Sequence, residues 1–291
     1  METSLAIELW LDALLAEGRS DLTVRSYRIY GRHLSLVAPD LESLEKAALR
    51  RWLVEYRQTH APDTVRSVFV GWRSFFNWCV RECLLAESPL MGVRQPKVPR
   101  PTSVGYEQGQ MRALFAYLAG VRTPVGLRNH ALCAVLLDCG LRVSELCRLT
   151  VDDIADGALI VRLSKSGRPR IVPMGGKTQQ TLGRYLSHGR PRLKPQSGVL
   201  FVNQFGGHLN RWGVQSILDR MSPNVGFHMN PHRFRHTAAT SWLRSGVPTG
   251  VVMRLGGWAT FESMERYQHL LHDDLVAAQV TSSPMDRLVG K

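Results

Sequence analysis

The sequence predicts a mainly α chain with a small antiparallel β-sheet, an α+β fold in two domains, and three observations predict it. Apolar residues recur at three- and four-residue steps through both halves of the chain. Two short β-branched runs flank a glycine-containing break. The 291 residues exceed the usual size of one domain, and a proline-rich stretch interrupts them near residue 100. A hydrophobic content of 44% suffices for two cores.

Residues 1–93 read as helical throughout. From Asp21 to Val37, Val24, Tyr27, Tyr30 and Leu34 share one face, while Arg25, Arg28 and Arg32 form a stripe on another. Pro62 to Cys83 repeats the pattern: Val65, Val68, Phe69, Trp72, Phe75, Phe76, Cys79 and Cys83 make an apolar face, and Arg66, Arg73 and Asn77 line the other. The aromatic stripe reads as core. The arginine stripes either face a polyanion's groove or are solvated. Residues 94–105 read as a linker, because Pro96, Pro99 and Pro101 remove backbone donors and bias the chain toward extended geometry, with basic residues between them.

Residues 106–291 form the second domain. Helices are expected over Gln108–Leu118, Leu127–Leu137 and Leu141–Leu149. Ala158–Ser164 and Pro169–Pro173 read as strands joined through Lys165-Ser-Gly-Arg168, a hairpin signal. From Thr178 onward the chain reads as mainly helical again.

The formal net charge is +13 and the pI about 10.1, a balance that favours a polyanionic partner such as nucleic acid. The charge is uneven. Residues 1–100 hold 14 basic and 12 acidic side chains, whereas residues 101–291 hold 23 and 12. Arginine supplies 31 of the 37 cations, which suits bidentate phosphate contacts, although a GC-rich genome gives the same bias. The five cysteines lack the Cys-x-x-Cys spacing of a zinc site and read as reduced, mostly buried thiols of a cytosolic protein. No secretion signal and no apolar run long enough for a membrane span is visible, so a cytoplasmic, DNA-associated protein is expected.

The chemistry concentrates in the second domain. Arg142, in Gly140-Leu-Arg-Val-Ser-Glu145, is placed early in a helix with Glu145 one turn later. This is either a surface ion pair or a phosphate-gripping arginine oriented by a carboxylate. In Asn230-Pro-His-Arg-Phe-Arg235, Asn is a good N-cap and Pro a good first helical residue, so a helix should begin here. His232 and Arg235 then lie three apart in a first turn whose N–H groups favour an anion. His232 and His236 have the spacing of a helical zinc pair, but Arg233 stands where a metalloprotease needs Glu, and no metal is expected. Gly175-Gly-Lys-Thr178 resembles the end of a P-loop, yet Ile171 occupies the position of the required glycine, so no nucleotide site follows. Lys165 falls in the hairpin turn, where an ammonium is either solvated or placed to give a proton to a leaving oxygen. Tyr267 lies between Arg266 and His269. Its phenol is a poor nucleophile at neutral pH unless cations and a base assist it.

Taken in order, Gly140-Leu-Arg-x-x-Glu145, Lys165, His232-x-x-Arg235, Trp258 and Tyr267 resemble the tyrosine recombinase (phage integrase) family across residues 106–275. Several separated elements recur at matching spacing, which makes the resemblance specific. The helical first hundred residues are similar, less distinctively, to the family's core-binding domain. The resemblance implies that Tyr267 attacks a scissile phosphate, forming a 3′-phosphotyrosyl link and releasing a 5′-hydroxyl. Arg142 and Arg235 would stabilise the non-bridging oxygens, Lys165 would protonate the leaving oxygen, His232 would orient or exchange protons, and Trp258 would buttress the phosphate. It implies double-stranded DNA as partner, a homo-tetramer on paired sites, an accessory or directionality factor, and no cofactor. Arg25, Arg28, Arg32, Arg66 and Arg73 become candidate DNA contacts. Residues after Tyr267, including Leu270, Leu271, Leu275 and Val276, would pack on a neighbouring protomer or on their own domain.

Two features depart from the wider family. Trp258 stands where many members carry His, which suggests a structural role for it. The chain begins directly with the helical segment, so the arm-site-binding domain of many phage integrases is not expected. The sequence therefore points to an integrase of a phage or integrative mobile element, with a Xer-type resolvase as the nearest alternative. A type IB topoisomerase shares the chemistry, and a DNA-binding protein without catalysis is the alternative from another class.

Overall fold

The computed structural model describes residues 1–98, 105–162 and 169–264. The chain divides into two compact units, Met1–Pro101 and Thr102–Lys291.

The first unit packs four helices, α1 (Thr3–Ala16), α2 (Asp21–Val37), α3 (Lys46–Thr59) and α4 (Pro62–Arg81), around an aromatic core. Helix α2 starts where its sequence says it should. Ser20 caps it, its hydroxyl accepting from the Thr23 N–H, and Asp21 adds a favourable charge in the first turn. Helix α4 opens with Pro62, whose missing donor costs nothing there. Its stripe is core: Phe69, Trp72, Phe75 and Phe76 are fully buried, as is Trp10 of α1. The Trp72 indole donates to the Tyr30 carbonyl at 2.7 Å, which ties α4 to α2 and satisfies a polar handle inside the core. Helix α1 shows no clean stripe in sequence, because Leu5, Leu9 and Leu15 are exposed while Ile7, Leu11 and Leu14 are buried. One expectation needs correction. Cys83 lies beyond the end of α4, with φ of 58°, and is exposed rather than part of the apolar face.

The second unit is built on α6 (Pro124–Cys139), which is buried on most sides through Ala131, Leu132, Cys133, Val135, Leu136 and Cys139. Burial pushes the Cys133 thiol up to about 12, so it stays protonated and unreactive at neutral pH. Helices α5 (Gln108–Gly120), α8 (Gly176–Arg184) and α10 (Pro231–Arg244) pack against α6, and α9 (Arg211–Val225) packs against α5. Helix α7 (Val143–Arg148) is a short turn between α6 and the sheet, and α11 (Thr249–Gly256) follows α10. The sheet has three antiparallel strands in order, β1 (Ile154–Ala155), β2 (Ala158–Val161) and β3 (Arg170–Pro173), with Leu159 opposite Val172. Strand β1 is not visible in the sequence, because two residues are too few to show a period. The described part of β2 ends at Val161, and Leu163 and Ser164 of the expected strand lie outside the described residues.

The P-loop-like run serves structure. The Gly175 N–H donates to the Asp138 carboxylate at 2.7 Å just before α8, and Ile171 sits within β3. No described helix is long and apolar enough to cross a membrane.

Candidate active site

The segment leading to Arg142 is shaped by Gly140, which ends α6 in the left-handed conformation with φ of 57°. Any Cβ there would be strained and would come within 2.9 Å of the Trp242 ring. Arg142 is not the early helical residue that its spacing suggested. It is the N-cap of α7, with φ −68° and ψ 144°, and the helix begins at Val143. Its own N–H donates to Glu145 Oε2 at 2.9 Å, and Nη1 donates to Glu145 Oε1 at 2.9 Å. Nη2 donates to the Gly257 carbonyl at 2.9 Å. The guanidinium is therefore held from two directions.

Glu145 is 3% exposed, so its pairing with Arg142 is not the surface ion pair that spacing alone allows. A second guanidinium completes it. Arg170 places Nη1 at 3.0 Å from Oε1 and Nη2 at 2.7 Å from Oε2, a fork on both carboxylate oxygens, and its Nε donates to the Leu255 carbonyl at 3.0 Å. Burial alone would push the Glu145 carboxyl up, but the hydrogen bonds and charge of Arg170, followed by those of Arg142, hold it below its usual value. The carboxylate stays ionised between two cations.

Helix α10 presents Arg235. Its start is fixed by Asn230, whose side chain accepts from the Arg233 N–H at 2.8 Å. The Tyr106 hydroxyl accepts from the Asn230 N–H at 2.8 Å and donates to the Asn230 carbonyl at 3.3 Å. The Arg233 guanidinium lies 4.4 Å from the centre of the Tyr106 ring. From this fixed first turn Arg235 turns inward, 3% exposed, and Nη1 donates to the Gly140 carbonyl at 2.8 Å. Its guanidinium stacks over the Trp258 ring at 4.0 Å.

The two guanidiniums rest on neighbouring residues of the same segments. Arg142 holds the Gly257 carbonyl, and Arg235 stacks on the next residue, Trp258. Arg235 in turn holds the carbonyl of Gly140, two residues before Arg142. Gly256 lets Trp258 fold back, since a Cβ there would lie 1.8 Å from the indole. Two cations thus converge on one turn, an arrangement suited to an anion with several oxygens.

His232 is exposed on that first turn, and its ring meets the buried His236 edge-on at 4.4 Å. Among the described residues no group of three metal-ligating side chains occurs. Lys165, Tyr267 and the apolar residues that follow Tyr267 lie outside the described residues. In the first unit, Arg25, Arg32 and Arg66 are exposed, whereas Arg28 pairs with Glu8 and Arg73 stacks on Phe69 at 4.7 Å. Sequence reasoning passed over Arg170 as a site residue. In the structure Arg170 shares a strand face with the buried Val172, while Ile171 between them is 66% exposed; the run Arg-Ile-Val-Pro alone does not show which face is buried, so the arginine's place in phase with the core is not a sequence signal.

Residues 106–273 match the model of the phage integrase family. The tyrosine recombinase XerC of Corynebacterium efficiens is 32% identical over 279 residues, covering 94% of this chain and 89% of that protein. XerC of Oceanobacillus iheyensis is 30% identical, covering 96% and 87%. Among solved structures, the Tn1549 transposon integrase in complex with transposon right end DNA has a TM-score of 0.77 at 18% identity, covering 97% of this chain and 99% of that one. The XerH recombinase bound to its palindromic difH substrate has a TM-score of 0.72 at 17% identity, covering 91% and 82%. At such identities the structural likeness speaks for a shared fold.

Proposed function

The chain belongs to the phage integrase family of tyrosine recombinases, enzymes of DNA cleavage and strand transfer, and from that premise we propose that it exchanges strands between two double-stranded sites as a Xer-type resolvase. The convergence of Arg142 and Arg235 on the Leu255–Trp258 turn carries the reading. Two guanidiniums held by buried and half-buried partners need little reorganisation when negative charge grows on the non-bridging oxygens of a phosphate.

In the proposed reaction the Tyr267 oxygen bonds to phosphorus as the bond to the 5′ oxygen breaks. The phenolic proton leaves, with His232 exchanging or holding it, and Lys165 gives a proton to the 5′ oxygen. The phosphotyrosyl link conserves the bond energy, so a 5′-hydroxyl from the partner strand rejoins the DNA without a nucleotide. Trp258 acts as a positioning residue through its stacking on Arg235.

Residues 1–93 serve as the core-site DNA-binding domain and 106–291 as the catalytic domain, with the segment after Tyr267 reaching a neighbouring protomer of a homo-tetramer. The protein is cytoplasmic and DNA-associated. The Xer-type role is supported by XerC relatives that align over most of both chains. A second reading, a phage or integrative-element integrase working with a directionality factor, is favoured by Trp258 at the position where many members carry His.

Denaturing gels of nicked duplexes drawn from the source genome test the chemistry. A covalent adduct is expected with the wild type and none with Tyr267→Phe, although both bind DNA. An undiminished adduct in the variant overturns the assignment of the nucleophile. Sequencing the trapped DNA gives the site, and recombination between two identical copies, rather than two unlike sites, separates resolvase from integrase.

A further inference from the structure

We infer that Arg170 is a positioning residue of the reaction, one that keeps Arg142 available to the scissile phosphate by occupying the buried carboxylate of Glu145. The inference rests on the recombinase reading of Arg142 and goes beyond it, since Arg170 itself is placed against no substrate.

Charge sets the problem. A buried carboxylate beside a lone arginine forms a neutral pair and draws the guanidinium into a closed, two-pronged contact. Arg142 is one such partner, three residues from Glu145 and already bonded to it through both its backbone and its side chain. Were Glu145 to hold Arg142 alone, the carboxylate would cancel the charge that the phosphate is meant to meet. Arg170 prevents this. Its fork takes one lone pair on each oxygen, leaving Glu145 to bond the Arg142 guanidinium through a single Nη. The cluster of two guanidiniums and one carboxylate then carries a net positive charge.

Geometry adds a second duty. The Arg170 Nε holds the Leu255 carbonyl, and Arg142 Nη2 holds the Gly257 carbonyl two residues later. Arg170 therefore fixes the same turn from which Trp258 stacks on Arg235. Strand β3 is linked through one side chain to α7, to the end of α11 and to the arginine pair. Only a planar group with donors on three nitrogens reaches both carboxylate oxygens and a carbonyl at once, and an ammonium does not.

The test is single-turnover adduct formation on a nicked duplex, with DNA affinity measured alongside. For Arg170→Ala and Arg170→Lys, the rate is expected to fall about 100-fold or more, in the range seen when one oxyanion-stabilising group is removed. DNA affinity should stay within roughly threefold, because binding draws on many phosphate contacts. Millimolar guanidinium ion should restore part of the Arg170→Ala rate and none of that of Arg142→Lys. In a double-mutant cycle, Arg170→Ala should slow an Arg142→Lys protein by less than about threefold, since a residue acting through Arg142 has little left to lose. Should Arg170→Ala not fold, the same cycle is read with Arg170→Lys. Multiplicative losses in the cycle, or a rate within about threefold of wild type in a folded Arg170 variant, overturn the inference alone. A wild-type protein that forms no Tyr267-dependent adduct overturns the recombinase reading of the site, and the inference with it.

Discussion

In the first unit Arg25, Arg32 and Arg66 stand exposed on α2 and α4, whereas in the second Arg142, Arg170 and Arg235 are wholly or partly buried on carboxylate, carbonyl and ring partners. The residue type is the same and the physics is not. An exposed guanidinium keeps its hydration and its rotamers, so it meets a phosphate backbone loosely and in a salt-dependent way. A buried one has lost both during folding, and its charge points in one direction before any ligand arrives. The first arrangement suits holding a polyanion; the second suits a single phosphate whose charge changes during reaction.

The sharpest way to break this contrast is Arg235→Ala. The substitution removes a proposed oxyanion partner, strands the Gly140 carbonyl and leaves the Trp258 ring without its cation. Adduct formation should fall by about 10²–10³-fold, and unfolding free energy by roughly 1–3 kcal/mol for the unpaired carbonyl. Arg25→Ala should change neither beyond about twofold and 0.5 kcal/mol. Equal effects of the two substitutions on adduct rate would erase the distinction between the units.

A smaller effect probes how the buried arginine is held. Trp258→Ala removes a stacking interaction of about 0.5–2 kcal/mol, so the rate should drop roughly 2- to 30-fold if that energy keeps Arg235 aligned. Trp258→Phe keeps a ring face and should recover most of it. A Phe variant as slow as Ala would mean that the indole N–H matters, and the stacking account would have to be given up.

How much of this was visible in sequence follows from the same contrast. Helices α2 and α4 were legible because one-sided burial leaves a clean period, and the start of α10 because Asn230 and Pro231 are local signals that act through the backbone. Helix α1 was not delimited, since its apolar residues surround it and burial cannot be read from them. Arg142 was recognised, but its place just before α7 was not, because an arginine N-cap is an unusual choice sustained here by the Glu145 carboxylate. Arg170 was missed as a site residue for a related reason. Its partners lie 25 and 85 residues away in sequence, and only their proximity in three dimensions shows why an arginine shares the buried face of β3.

The mildest perturbation tests the other side of the comparison. Replacing Arg25, Arg32 and Arg66 together by Ala leaves every described hydrogen bond of the Arg142, Arg170 and Arg235 cluster in place. If these side chains meet phosphates, each arginine removed lowers the slope of log affinity against log salt by about 0.9, so the triple variant should shed at most about 2.7 from that slope. At saturating protein the adduct rate should stay within about twofold of wild type, because loosely held arginines bind the ground and transition states alike and uniform binding does not speed the chemical step. Filter binding from low to moderate salt, read beside single-turnover cleavage, separates the outcomes. An unchanged salt slope would mean that α2 and α4 present these arginines to solvent. A large fall in cleavage at saturation would mean that the first unit shapes the active site as well as gripping DNA, and the division of labour between exposed and buried arginines would not hold.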